Sequence, residues 1–165
     1  MTHYMELLAT NQPWNLIIFM AIPVVLAETV AVTELHILYT RKLHGWIRNL
    51  NRIAGVVVGL YFIGIITYLL VDAVVPITKA GEWRTIIDII AVMTYLIGGI
   101  PMVLIAMQDL RIIHKGASEE KKLGYHAAYV AVFLVFAHVA MIAGMLDPAL
   151  LGYQGETTHD MHGSK

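Results

Sequence analysis

The sequence predicts an all-α integral membrane protein: a four-helix up-down-up-down bundle, with both termini outside the cytoplasm. Three observations carry this. Of 165 residues 58% are apolar and only 14% charged, against about 25% charged in an ordinary soluble domain. Four apolar stretches, residues 14–39, 53–75, 86–107 and 125–146, each supply the roughly 20 residues that cross about 30 Å of hydrocarbon. The basic residues alternate between sides. Arg41, Lys42, Arg48, Arg52, Arg111, Lys115, Lys121 and Lys122 lie in two of the connections, and only Lys79, Arg84 and Lys165 lie opposite. Such a bias orients the richer side toward the cytoplasm.

The first stretch lacks a basic leader and a small-residue cleavage signature, so it is expected to be a retained span. Pro23 should bend it. Glu28, Glu34 and His36 lie within it. Beyond Arg41, residues Leu43, Trp46, Ile47 and Leu50 recur at helical spacing, which predicts an interfacial segment or an early start of the second span. In that span Gly55 and Gly59 form a small-xxx-small pair where another helix can approach closely. Asp72 lies near its outer end.

The third span carries Asp88, Met93 and the helix-weakening Gly98-Gly99-Ile100-Pro101. The fourth carries His126 and His138. Spans one and three exit through similar R-x-x-H sequences, Arg41 to His44 and Arg111 to His114, a faint echo of two hairpins. Residues 1–153 are expected to form the membrane domain and residues 154–165 a disordered polar tail. His159 and His162 in that tail form a weak divalent-metal signal.

Ionisable residues inside spans are costly and are functional candidates for that reason. Glu34 is expected to pair with Arg52 or Lys42, and Asp72, Asp88 and Arg84 to form an outer-rim ion pair. Glu28 and His138 fall at similar depth and are expected to share a buried hydrogen bond, with His138–Met93 ligation as the sharper alternative. His36 lies roughly 7 Å and His126 roughly 6 Å inside the inner boundary at 1.5 Å per residue. Two level imidazoles on neighbouring helices suit the axial ligands of a b-type haem, or a divalent metal. The propionates would meet Arg41, Arg48, Arg52 or Lys122.

With no cysteine, disulfides, thiolate metal sites and iron–sulfur clusters are excluded. A net charge of −1 gives no field for nucleic acid. No nucleophile–base pair or phosphate loop stands out, so enzymatic activity stays open. Three functions follow: a haem protein passing electrons or sensing haem; a permease or metal/proton carrier using Glu28, Asp72, Asp88 and His138; or the structural anchor subunit of a membrane complex. A bacterial-type inner membrane is the expected location, with lipid as solvent and a homodimer or larger complex as the assembly. A reporter fused after Lys165 is expected to be active only outside the cytoplasm; cytoplasmic activity would refute the assigned orientation.

Overall fold

The computed structural model describes residues 2–146, and these are helical with short connections. A short helix α1, His3–Ala9, precedes four long ones: α2 Trp14–Thr40, α3 Trp46–Ala80, α4 Ile86–Asp109 and α5 Glu119–Met145, each long and apolar enough to cross a membrane. The helical spacing of Trp46, Ile47 and Leu50 belongs to α3 itself, which starts at Trp46 and runs well past residue 75.

Each break between helices has a local cause. Arg41 and Gly81 adopt left-handed backbone after α2 and α3, a conformation that stops the i→i−4 ladder. Gly45 stands at φ 124° just before α3, a region open to glycine. Ser118 caps α5 by accepting from the Lys121 amide.

Prolines shape α2 and α3 without ending them. A proline lacks an N–H, and its ring collides with the carbonyl four residues back. In α2 the chain relaxes into a π-turn over Ile17–Ala21, just before Pro23. The Phe19 carbonyl that Pro23 cannot bond accepts instead from the Tyr95 hydroxyl at 2.8 Å. Beside it, the Ile18 carbonyl accepts from Tyr61 at 2.9 Å. In lipid, released backbone groups need such protein partners. A second π-turn, Leu70–Val74, precedes Pro76 in α3 and contains Asp72. By contrast α4 continues as α-helix through Pro101.

Helix α4 is the most enclosed of the four, while α2 and α5 leave most of their surface open. Glycines set its contacts. A Cβ on Gly59 would lie 2.3 Å from the Ala106 Cβ and 2.6 Å from the Met102 carbonyl oxygen, so α3 and α4 touch nearly backbone to backbone there. Gly98 fits against Phe136, and Gly99 against Phe62 and Ile66. The core between them is apolar and aromatic: Phe62 packs edge-on to Phe133 with centroids 5.4 Å apart, beside Met102, Ile105 and Val130.

Gly59→Ala should therefore force α3 from α4 and cost roughly 1–3 kcal/mol, read as a lower melting temperature in detergent. Gly64→Ala, where a Cβ meets nothing within 4 Å, should leave the melting temperature unchanged or raise it. Equal melting of the two variants would refute the close approach.

Candidate functional site

At the Asp109 end of the bundle, every long helix turns polar residues inward, and one from each helix joins a common cluster. On α2, Glu34 shares the buried stripe of Val30, Thr33 and Ile37. On α3, Asn51 heads the stripe that continues through Ala54, Gly55 and Val58. On α4, Asp109 follows Met102 and Ile105 at helical spacing. On α5, His126 lies between Leu123 and Val130.

The four residues meet. His126 has no exposed surface, and the side chains of Glu34 and Asp109 are each 3% exposed. Its Nε2 lies 3.1 Å from Asp109 Oδ2 in a hydrogen bond. Its Nδ1 lies 2.6 Å from Glu34 Oε2, at ion-pair distance but off the line of a good hydrogen bond. The Asn51 amide nitrogen reaches Glu34 Oε2 at 3.1 Å, Thr33 Oγ1 at 2.9 Å and the Val30 carbonyl at 3.2 Å. Glu34 Oε1 is buried without a hydrogen-bond partner.

Two arginines frame the cluster. Arg48 donates from Nη1 to Asn51 Oδ1 at 3.1 Å, and Arg52 donates from Nε to the Asp109 carbonyl at 3.0 Å. Gly55 makes room for Asp109, since a Cβ there would stand 2.3 Å from Oδ2. Next to Asp109, the Gln108 amide donates to the Lys122 carbonyl at 2.7 Å and its oxygen meets His114 Nδ1 at 3.1 Å. Gln108 also lines a cavity of about 480 Å³, together with Arg111, Ile113, Lys115, Glu119 and Lys122.

Proton counting shows what the cluster can do. Carboxylates only accept, and a neutral imidazole has one N–H. Two close carboxylate contacts, one on each ring nitrogen, therefore need two protons shared over the three groups. Wherever those two protons sit, the three side chains carry one net negative charge, which a third proton would neutralise. Glu34 Oε1 is the buried oxygen left open to take it.

The opposite end of α4 carries a second acid–histidine pair. Asp88 is fully buried; it accepts from the His3 amide at 2.7 Å and contacts the His3 ring through its other oxygen. Arg84 donates to Glu6 at 2.7 Å, and Thr2 donates to the Gly144 carbonyl at 2.8 Å. Together these tie α1 across that end.

Several sequence expectations meet different surroundings. Glu34 pairs with His126 and Asn51 rather than with Arg52 or Lys42, because α5 approaches α2 at this level. The outer pairs are Asp88–His3 and Arg84–Glu6, and Asp72 is exposed on the α3 π-turn. Glu28 and His138 are exposed in the single chain rather than buried together, and so is Met93. His138 Nδ1 turns to its own helix, 2.6 Å from the Leu134 carbonyl. His36 lies on the exposed face of α2 and is not brought to His126. Arg41 is exposed, and Lys122 donates to Glu119 at 2.8 Å. His159 and His162 lie outside the described residues.

Asp109 and Asn51 escaped the sequence reading, Asp109 because it follows the predicted end of its span and Asn51 because it carries no charge. The signal was the heptad-like stripe that each continues. Among the described residues no group of three His, Cys, Asp or Glu is arranged to hold a metal ion. The reason is visible at His126, whose two nitrogens diverge toward separate carboxylates.

Asn51→Ala should remove the amide donor from the buried Glu34 Oε2, costing roughly 1–3 kcal/mol. The check is thermal melting in detergent, with the exposed Asn49→Ala as the unchanged control; identical melting curves would refute the linking role of Asn51.

No curated protein and no solved structure matches the chain. Across residues 1–160 the sequence matches one family, and the chain belongs to it: DUF6803, a family of unknown function.

Proposed function

We propose that this protein is a small membrane proton carrier in which Glu34, His126 and Asp109 bind and release the transported proton. The observation that carries this reading is the buried three-group cluster with an unpartnered Glu34 oxygen. Ionisable groups inside a membrane domain mark proton and ion pathways more often than packing requires. Taking up one proton changes the cluster from net negative to neutral, which alters the electrostatic energy of any conformation that seals it from water.

The rest of the bundle suits the role. By the positive-inside rule the Asp109 end faces the cytoplasm, in an up-down arrangement with the termini outside. The cavity beside Gln108 offers water and solutes an approach from that side. Asp88 and Asp109 stand at opposite ends of α4, about 31 Å apart at 1.5 Å per residue. Between them the buried Phe62–Phe133–Met102 core is an apolar barrier, so transport requires the helices to move. The π-turns beside Pro23 and Pro76 are natural hinge points.

Haem ligation by His36 and His126 draws less support from this arrangement. His36 faces outward, and both nitrogens of His126 already face carboxylates, whereas an axial ligand must direct a free lone pair at the iron.

The test is proton flux into proteoliposomes under an imposed pH gradient, with valinomycin and potassium compensating charge. Wild-type protein should collapse the gradient. Glu34→Gln and His126→Gln should each slow it at least tenfold while keeping a cooperative melt, and His36→Gln should not. Vesicles as proton-tight as protein-free ones, or wild-type rates in Glu34→Gln, would overturn the proposal.

A further inference from the structure

The connection between α4 and α5 carries basic residues that the proton cluster does not use. Two of its residues, Arg111 and His114, take left-handed backbone at φ 59° and 54°. Such conformations are costly for residues with side chains and persist where surrounding contacts hold them. Here the His114 ring stacks on Tyr125 with centroids 4.3 Å apart, and its Nδ1 meets the Gln108 side-chain oxygen at 3.1 Å. The turn at His114 is thereby tied to both α4 and α5.

This connection walls the cavity of about 480 Å³ beside Gln108. Small-ligand sites commonly enclose roughly 300–1,000 Å³. The charges on the wall are Arg111, Lys115, Lys122 and Glu119, three cations against one carboxylate. That carboxylate is already shared: it accepts from Lys122 at 2.8 Å and lies 3.9 Å from Arg48 Nη2. Among the described residues, Arg111 and Lys115 make no side-chain hydrogen bond or ion pair. The neighbouring carboxylates are engaged elsewhere. Asp109 is bonded to His126, and Glu120 borders a separate cavity with Arg41 and Leu43. The wall therefore keeps an excess of two positive charges.

The uncharged wall residue points to the same chemistry. Gln108 donates from its amide nitrogen to the Lys122 carbonyl at 2.7 Å. A carbonyl only accepts, so this bond sets the orientation of the amide and commits its oxygen to His114. What Gln108 still has to offer is its second N–H. The polar groups left to meet a ligand are thus all donors: the Arg111 guanidinium, the Lys115 ammonium and the Gln108 amide. A phosphate ester matches them, with about two negative charges and three acceptor oxygens. Arg111 can grip two of those oxygens at once, and Lys115 adds a point charge.

We infer that this cavity binds a phosphate group, carried either by an anionic lipid or by a small phosphorylated solute. Both sources present the same dianion to the same residues. The lipid source has the right surroundings, since Leu110 and Ile112 on either side of Arg111 are about half exposed, and basic pockets at the cytoplasmic ends of spans hold anionic headgroups.

The test is calorimetric titration of the full-length protein in phosphatidylcholine nanodiscs, with protein-free nanodiscs subtracted. Glycerol 3-phosphate and dihexanoyl phosphatidic acid share the phosphomonoester, and glycerol lacks it. At least one phosphate probe should bind, and glycerol should not. Binding of glycerol 3-phosphate assigns a soluble source; binding of phosphatidic acid alone assigns the lipid. Arg111→Gln and Lys115→Gln alter exposed side chains, so their melting should match wild type while each weakens binding at least tenfold. Glu119→Gln removes the competing carboxylate and should tighten binding. Lys121→Gln and Lys42→Gln remove the same charge at the same end of the bundle but outside the cavity wall, and should bind as wild type. Three outcomes would overturn the inference: no binding of either phosphate probe, wild-type affinity in both Arg111→Gln and Lys115→Gln, or equal weakening by Lys121→Gln, which would reduce the site to diffuse surface charge.

Discussion

Placing His126 between two carboxylates takes three ionisable groups out of water inside a lipid-solvated bundle, and the surrounding architecture answers that cost. An uncompensated charge at such a site is strongly destabilising. The compensation comes from every long helix: Asn51 from α3 holds Glu34, Arg52 from the same helix holds the Asp109 carbonyl, and the stripe on each helix brings its polar residue to a common level. Gly55 exists at its position because Asp109 needs the volume a side chain would fill. The polar cluster thereby adds to the glycine contacts in fixing the register of the four helices.

The same logic operates on the backbone. Lipid offers no donor for a released carbonyl, so the π-turn before Pro23 is workable only because Tyr61 and Tyr95 reach across to Ile18 and Phe19. These tyrosines tie α2 to α3 and α4 away from the ionisable cluster. At the Asp88 end α1 closes the bundle through Asp88, Gly144 and Arg84. The ionisable contacts thus concentrate at the two ends, with an apolar, aromatic centre and the two tyrosine bonds between them. That distribution suits a protein whose two faces are sealed separately.

The outer surfaces of α2 and α5 obey a different rule. Their core-facing sides are complete, yet each keeps an ionisable residue on the far side. Facing lipid, such ionisable residues are costly.

The sequence by itself determined the membrane class, because apolar runs of spanning length and a shortage of charge permit only helices in lipid. It also marked Gly55 and Gly59 as the place where another helix can approach α3, although only the structure showed that helix to be α4. It identified Glu34, Asp88 and His126 as residues needing an explanation. Only the tertiary structure decided their partners. Depth along a helix can be counted from residue numbers, but rotation about it separates His36 from Glu34 by only two residues, and that is enough to turn one outward and the other into the core. The same rotation places Glu28 and His138 on outer faces while bringing Asp109 into contact with the buried histidine and Asn51 into contact with Glu34, both unremarkable in sequence.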